Sequence, residues 1–150
     1  PWIRPLANAY SYDDADMLHD MLGHVPFLLD RRFTSFIHQL GRMVVDSDFN
    51  EEVTEMVNRV YWRTIEAGLV LEDGVPKVYG AALLSSLGES VRSVHPAIPK
   101  IPFSFEECIS RSFFYDREQD DYFLLKSFDE FPTIISQLRE HLTLSQTNHC

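Results

Sequence analysis

Apolar positions recur at helical spacing along most of the chain, with short β-like runs between them. Asp13 and Asp14 are placed to cap a helix starting near Ala15, and Gly23 to stop it in a left-handed turn ahead of Val25-Pro26. Phe33, Phe36, Ile37 and Leu40 form a stripe within a second helix, Arg31 to Val45. Asn50 caps a third helix, with Glu51 and Glu52 in its first turn. Val53, Val57, Val60, Thr64 and Ala67 then trace one buried face as far as Gly68. Asp73-Gly74 is a hairpin signal between the strands Leu69–Glu72 and Val75–Tyr79. A helix from about Ser85 to Val94 follows. The three prolines from His95 to Pro102 then predict an irregular connector. A short helix at Phe105–Ser110, a strand at Tyr122–Lys126 and a last helix from Asp129 to Leu142 complete the order. The fold class is mostly α, with a small sheet (α+β).

Composition narrows the function classes. The 150 residues suit one domain, and no internal repeat or low-complexity linker divides them. Thirteen basic against 23 acidic side chains give a net charge of −10, which argues against nucleic acid and anionic membrane surfaces. No apolar run approaches the ~20 residues of a membrane span, and no targeting peptide is visible. With only Cys108 and Cys150 there is no disulfide framework, so a cytoplasmic location is expected.

His19 and His24 are the first residues with chemistry to offer. Five residues apart, they lie ~140° apart on an ideal α-helix, too far round for one metal ion unless the helix ends between them. Gly23 is expected to supply that end. Taken alone, the pair also reads as an ordinary core or surface pair. A mononuclear iron site needs two histidines and a carboxylate on one face, with positions left open. Glu66, four residues after Trp62, is a candidate third ligand. On helix geometry alone the favoured reading is a solvated acid paired with Arg63 or Arg59.

Four stretches, taken in order, carry more information than any one of them. They are His19-Asp20-Met21-Leu22-Gly23-His24-Val25-Pro26, Asp30-Arg31-Arg32-Phe33, Tyr61-Trp62-Arg63-Thr64-Ile65-Glu66, and Tyr79-Gly80-Ala81-Ala82-Leu83-Leu84-Ser85-Ser86-Leu87-Gly88-Glu89. Together they resemble the pterin-dependent aromatic amino acid hydroxylases, over the later part of that family's catalytic domain. The resemblance implies that His19, His24 and Glu66 bind one non-haem Fe(II), which works with dioxygen on an aromatic ring. It also implies that Arg4 grips a substrate carboxylate, that Trp62 and Ser85 line the substrate pocket, and that Tyr61 lies near the iron. Glu89 matches a family glutamate and is expected to orient a ligating imidazole from behind. For Tyr61 and Trp62 plain core packing is the competing reading.

Some positions depart from the family pattern. Asp20 stands where a glutamate helps hold the pterin, and the shorter side chain loses about 1.5 Å of reach. Ala67 replaces a phenylalanine and is expected to enlarge the pocket, while Tyr12 replaces a threonine near the substrate backbone. The family's pterin-stacking loop lies before the position of Arg4, so use of tetrahydropterin is left open. The regulatory domain and tetramerisation helix have no counterpart in these residues. The expected function is a non-haem iron monooxygenase acting on an aromatic amino acid with O2. The alternatives are a pterin-independent iron oxygenase acting on a bulkier aromatic, a non-catalytic metal-binding domain, and a metal-free helical interaction module.

Overall fold

The computed structural model describes residue 3 and residues 15–115 and 117–147. Helix α1 (Met17–His19) is a single turn whose N-cap is Asp16, accepting from the His19 N–H at 2.9 Å. The expected caps Asp13 and Asp14 lie outside the described residues. The chain then widens into a π turn, Asp20–His24, and tightens into a 3-10 turn, Val25–Leu29. Helix α2 (Arg31–Asp46) is capped by Asp30, and α3 (Glu51–Tyr61) by Asn50, the cap its sequence predicts. Helix α3 runs into a second π turn, Trp62–Glu66.

Strands β1 (Leu69–Glu72) and β2 (Val75–Val78) form the expected hairpin, with Asp73 and Gly74 both at positive φ. The expected helix from Ser85 to Val94 is α5 (Leu87–Val94), and a short helix that the sequence reading does not include, α4 (Ala81–Ser85), precedes it. They are separated by Ser86, whose extended backbone lets its hydroxyl cap α5. Strand β3 (Lys100–Pro102) corrects the reading of His95–Pro102 as wholly irregular. It is an edge strand, where proline is tolerated because the missing N–H breaks no ladder bond. Helix α6 (Phe105–Ser110), strand β4 (Tyr122–Leu125), a 3-10 turn and α7 (Phe131–Thr147) follow. The sheet order is β2-β1-β4-β3, with β4 parallel to both of its neighbours.

The core lies between α2, α3, α7 and the inner face of the sheet. Phe33 and Phe36 of α2 pack on Phe131 of α7, with the Phe36 and Phe131 rings stacked at 4.2 Å. Each such ring removes apolar area worth about 1.5–3 kcal/mol from water. Tyr122, Ala67, Leu69 and Leu83 form a smaller cluster under α4. The segment Met17–Leu29 differs in character: Met17, Leu18, Met21, Leu22, Val25, Leu28 and Leu29 are all exposed, Leu29 to 90%.

Gly23 does not end its helix in a left-handed turn, since Gly74 alone among the described glycines has positive φ. It is needed for close approach instead. A Cβ at residue 23 would lie 2.6 Å from the Ala81 Cβ, so the first π turn can seat directly on α4. Gly80 has the same role against the backbone of Glu66 and Gly68. We expect Gly23→Ala to cost about 1–3 kcal/mol, seen as a lower Tm, because the clash outweighs the ~1 kcal/mol that alanine gains in a helix. Gly41 has nothing within 4 Å of its Cβ position. Gly41→Ala should therefore stabilise by about 0.5–1 kcal/mol in the same melting experiment.

Candidate metal centre

The two π turns bring the predicted ligands together. In a π turn hydrogen bonds run from residue i+5 to residue i, so side chains five apart come to one side. Val25 N–H bonds Asp20 C=O in the first turn, and Ala67 N–H bonds Trp62 C=O at 2.9 Å in the second. His19 and His24 thus face each other with their Nε2 atoms 3.0 Å apart. Glu66 reaches both, with one oxygen 3.7 Å from His19 Nε2 and the other 3.4 Å from His24 Nε2. His19 and Glu66 are buried and His24 is half-buried. The alternative in which Glu66 pairs with an arginine falls away. Arg63 turns to Asp121 and Arg59 to Glu55, each at 3.0 Å.

These separations test the fit to a metal. Two donors bound to one ion at about 2.1 Å and a right angle lie about 3.0 Å apart. The three pairs here span 3.0–3.7 Å, so two imidazole nitrogens and a carboxylate oxygen are close to the spacing one small cation demands. Asp20 also has its carboxylate within 4.8 Å of the histidine donors. It is exposed, however, whereas Glu66 is buried and aimed at both Nε2 atoms. Glu66 is therefore the better third donor.

The groups around the triad set its protonation. The Ser85 hydroxyl donates to the Ala81 carbonyl at 3.0 Å, so it accepts from His19 Nδ1–H, also at 3.0 Å. That bond fixes the tautomer with a lone pair on Nε2, the form a metal ligand needs. A hydrogen bond to Glu66 raises the pKa of His24; burial opposes this, and the charges of Glu66 and Asp20 reinforce it. Burial, with the charge of Glu66 and a hydrogen bond to it, pushes the Tyr61 phenol up, so Tyr61 stays protonated and donates to that carboxylate.

Other expected site residues fall at varying distances from this centre. Trp62 is half-buried, and its ring meets Tyr115 edge-on at 4.6 Å. Ala67 is buried in the small cluster with Leu69, Leu83 and Tyr122. The Glu89 carboxylate accepts from Gln119 N–H at 3.0 Å and Tyr122 OH at 2.6 Å, not from a ligating histidine. It is the Ser85 hydroxyl, not Glu89, that meets a His19 ring nitrogen, a contact that a 66-residue separation hid from sequence reasoning. Arg4 and Tyr12 lie outside the described residues. Sequence reasoning also missed Arg63. Its buried guanidinium bonds Asp121 and the Ser112 carbonyl and so ties the chain before β4 to the second π turn. An arginine inside a valine-rich helix was the available signal.

The family model for biopterin-dependent aromatic amino acid hydroxylases matches residues 2–147. The chain belongs to that family. It is 36% identical over 130 residues to a phenylalanine-4-hydroxylase of Mesorhizobium japonicum, covering 85% of this chain and 47% of that protein. Against the tyrosine 3-monooxygenase of Rattus norvegicus it is 33% identical, covering 86% of this chain and 26% of the relative. The chain thus spans from about a quarter to about half of these relatives. A solved phenylalanine hydroxylase of Chromobacterium violaceum, with bound iron(III) and oxidised 7,8-dihydrobiopterin, superposes with a TM-score of 0.79. It is 29% identical, and the match covers 95% of this chain and 52% of that one.

Glu89 makes the stability of the fold depend on pH. Burial pushes its carboxyl up to about 7 from 4.5, against the pull of its hydrogen bonds from Gln119 and Tyr122. An acid with a raised folded pKa keeps its proton in the folded state while the unfolded chain loses it. Its stabilising contribution is therefore full below about pH 4.5 and lost as pH rises through about 7. Thermal melting of the wild type should fall over this window by several degrees more than that of Glu89→Gln, which keeps the acceptor oxygen but cannot ionise.

Proposed function

We propose that the protein is a non-haem Fe(II) monooxygenase that hydroxylates an aromatic amino acid with O2. The observation that carries this reading is the convergence of His19, His24 and Glu66 on one point. The two Nε2 atoms and a Glu66 oxygen would hold the iron on one face, leaving the opposite positions open. When bound, the iron supplies the redox chemistry that activates dioxygen. The chain's own groups do the rest. Ser85 holds His19 in the ligating tautomer, and Tyr61 donates to Glu66 and orients its carboxylate. Trp62 offers a flat wall for the substrate ring one residue along the same turn. Arg4 is the cation carried over from the family for the substrate carboxylate. Asp20, exposed beside the histidines, is the residue assigned to the pterin. No described helix is long and apolar enough to cross a membrane. A reducing compartment, the cytoplasm, goes with the free buried thiol of Cys108.

Anaerobic loading with Fe(II) tests the reading. Wild type should retain about one iron per chain, and His24→Ala at least ~100-fold less affinity; Ser85→Ala should lose about 10–100-fold with its fold intact. Oxygen uptake with phenylalanine, tyrosine or tryptophan is then measured with and without tetrahydropterin. Uptake that needs both partners supports the hydroxylase. Uptake with an aromatic but no pterin marks a diverged oxygenase, and iron without uptake marks a metal-binding domain. Equal, poor iron retention by wild type and His24→Ala defeats all three.

A further inference from the structure

Gln119 is a fully buried polar side chain outside the metal centre, 1% exposed. Its amide grips the Phe114 peptide at both ends. Nε2 donates to Phe114 C=O at 2.6 Å, and Oε1 accepts from Phe114 N–H at 3.1 Å. The backbone of Gln119 is held in turn by the Glu89 carboxylate of α5. The residues flanking Phe114 carry the consequence. Phe113 and Tyr115 pack on each other at 4.9 Å, and both meet the Trp62 ring, at 6.3 and 4.6 Å. Arg63 fastens the carbonyl of Ser112, and the Arg59 guanidinium lies 5.3 Å over Phe113. The Trp62 indole N–H has no acceptor among the described residues.

We propose that Gln119 is a positioning residue, pinned by Glu89, that holds Phe113 and Tyr115 against Trp62 and so sets which aromatic ring the site accepts. This rests on the reading of Trp62 as a wall of the substrate pocket. The chemistry follows from the clamp. A primary amide alone among neutral side chains presents one donor and one acceptor spaced to match a peptide's own. It therefore fixes Phe114 in translation and rotation, and a peptide fixed in both ways fixes the side chains on either side. Phe113 and Tyr115, held in this way, back the Trp62 ring and fix the angle it presents to a substrate ring.

The test uses a Trp2→Phe background, so that Trp62 is the sole fluorophore of its kind. Gln119→Ala should raise acrylamide quenching of Trp62 about threefold and weaken L-phenylalanine binding to the Fe(II)-loaded protein about tenfold. It should also change the preference between L-phenylalanine and L-tryptophan, while melting stays cooperative and iron loading is unchanged. Gln119→Glu, which can accept from Phe114 N–H but not donate to its carbonyl, should fall between. Tyr115→Ala, which removes the ring that meets Trp62, should reproduce the change in ligand preference while melting stays cooperative and iron loading is unchanged. Unchanged Trp62 quenching, or unchanged ligand preference in Gln119→Ala and Tyr115→Ala alike, overturns the proposal. Loss of cooperative melting in Gln119→Ala overturns it too, assigning the residue to the fold. A wild type that takes up no iron fails the hydroxylase reading instead, and the quenching arm, which needs no metal, still decides the positioning.

Discussion

The hydrogen bond from Ala67 N–H to the Trp62 carbonyl, and its counterpart from Val25 to Asp20, set the geometry on which the site depends. Each closes a ring one residue wider than that of an α-helix. In an α-helix, His24 would point well away from His19. In the wider turn, both imidazoles and the carboxylate from the other turn share one small volume. The widening carries a cost, since π turns are rare and their backbone bonding is poorer than that of the α-helix. It is met by packing: both turns lie against α4 and its approach, at contacts that residues 23 and 80 permit because they have no side chain.

A second consequence of this packing is electrostatic. Three acidic or basic groups lie buried in the second π turn and α5, and each finds a specific partner. Arg63 has Asp121, Glu66 has the two histidines and Tyr61, and Glu89 has Gln119 and Tyr122. Burial without such partners would cost more than a domain of this size can carry. The partners also separate the roles. The arginine is committed to the chain leading into β4, which leaves the glutamate three residues later to the imidazoles.

Much of this was legible in the sequence. The stripes of Phe33, Phe36 and Leu40 and of Val53, Val57 and Val60 located two core helices, and Asp73-Gly74 located the hairpin, because each is a local signal with a local cause. The four ordered stretches gave the family. What could not be read was how His19 and His24 converge. Helical periodicity assumes the α period, and no residue pattern announces a π turn, so Gly23 reads as a stop where it is a contact point. The partner of His19 was equally hidden, since Ser85 lies 66 residues away and reaches the ring only through the docking of α4. Edge strand β3 was masked by prolines, whose cost in a sheet vanishes at its border.

The wide turns also bear on how such a chain can change over evolutionary time. Along α3 the buried face runs Val53, Val57, Val60 at the ordinary helical phase, and beyond Tyr61 the buried set becomes the continuous run Arg63 to Glu66. The helix therefore carries two phases of burial joined at one extra residue. A single-residue deletion there would restore an unbroken α-helix while rotating everything downstream, including the entry into β1, relative to the core. The coding sequence between positions 61 and 67 is in effect a reading frame of its own. Substitutions can be sampled one at a time, but insertions and deletions cannot. A lineage keeping this fold is expected to keep the residue count across that turn even after the residues themselves have drifted.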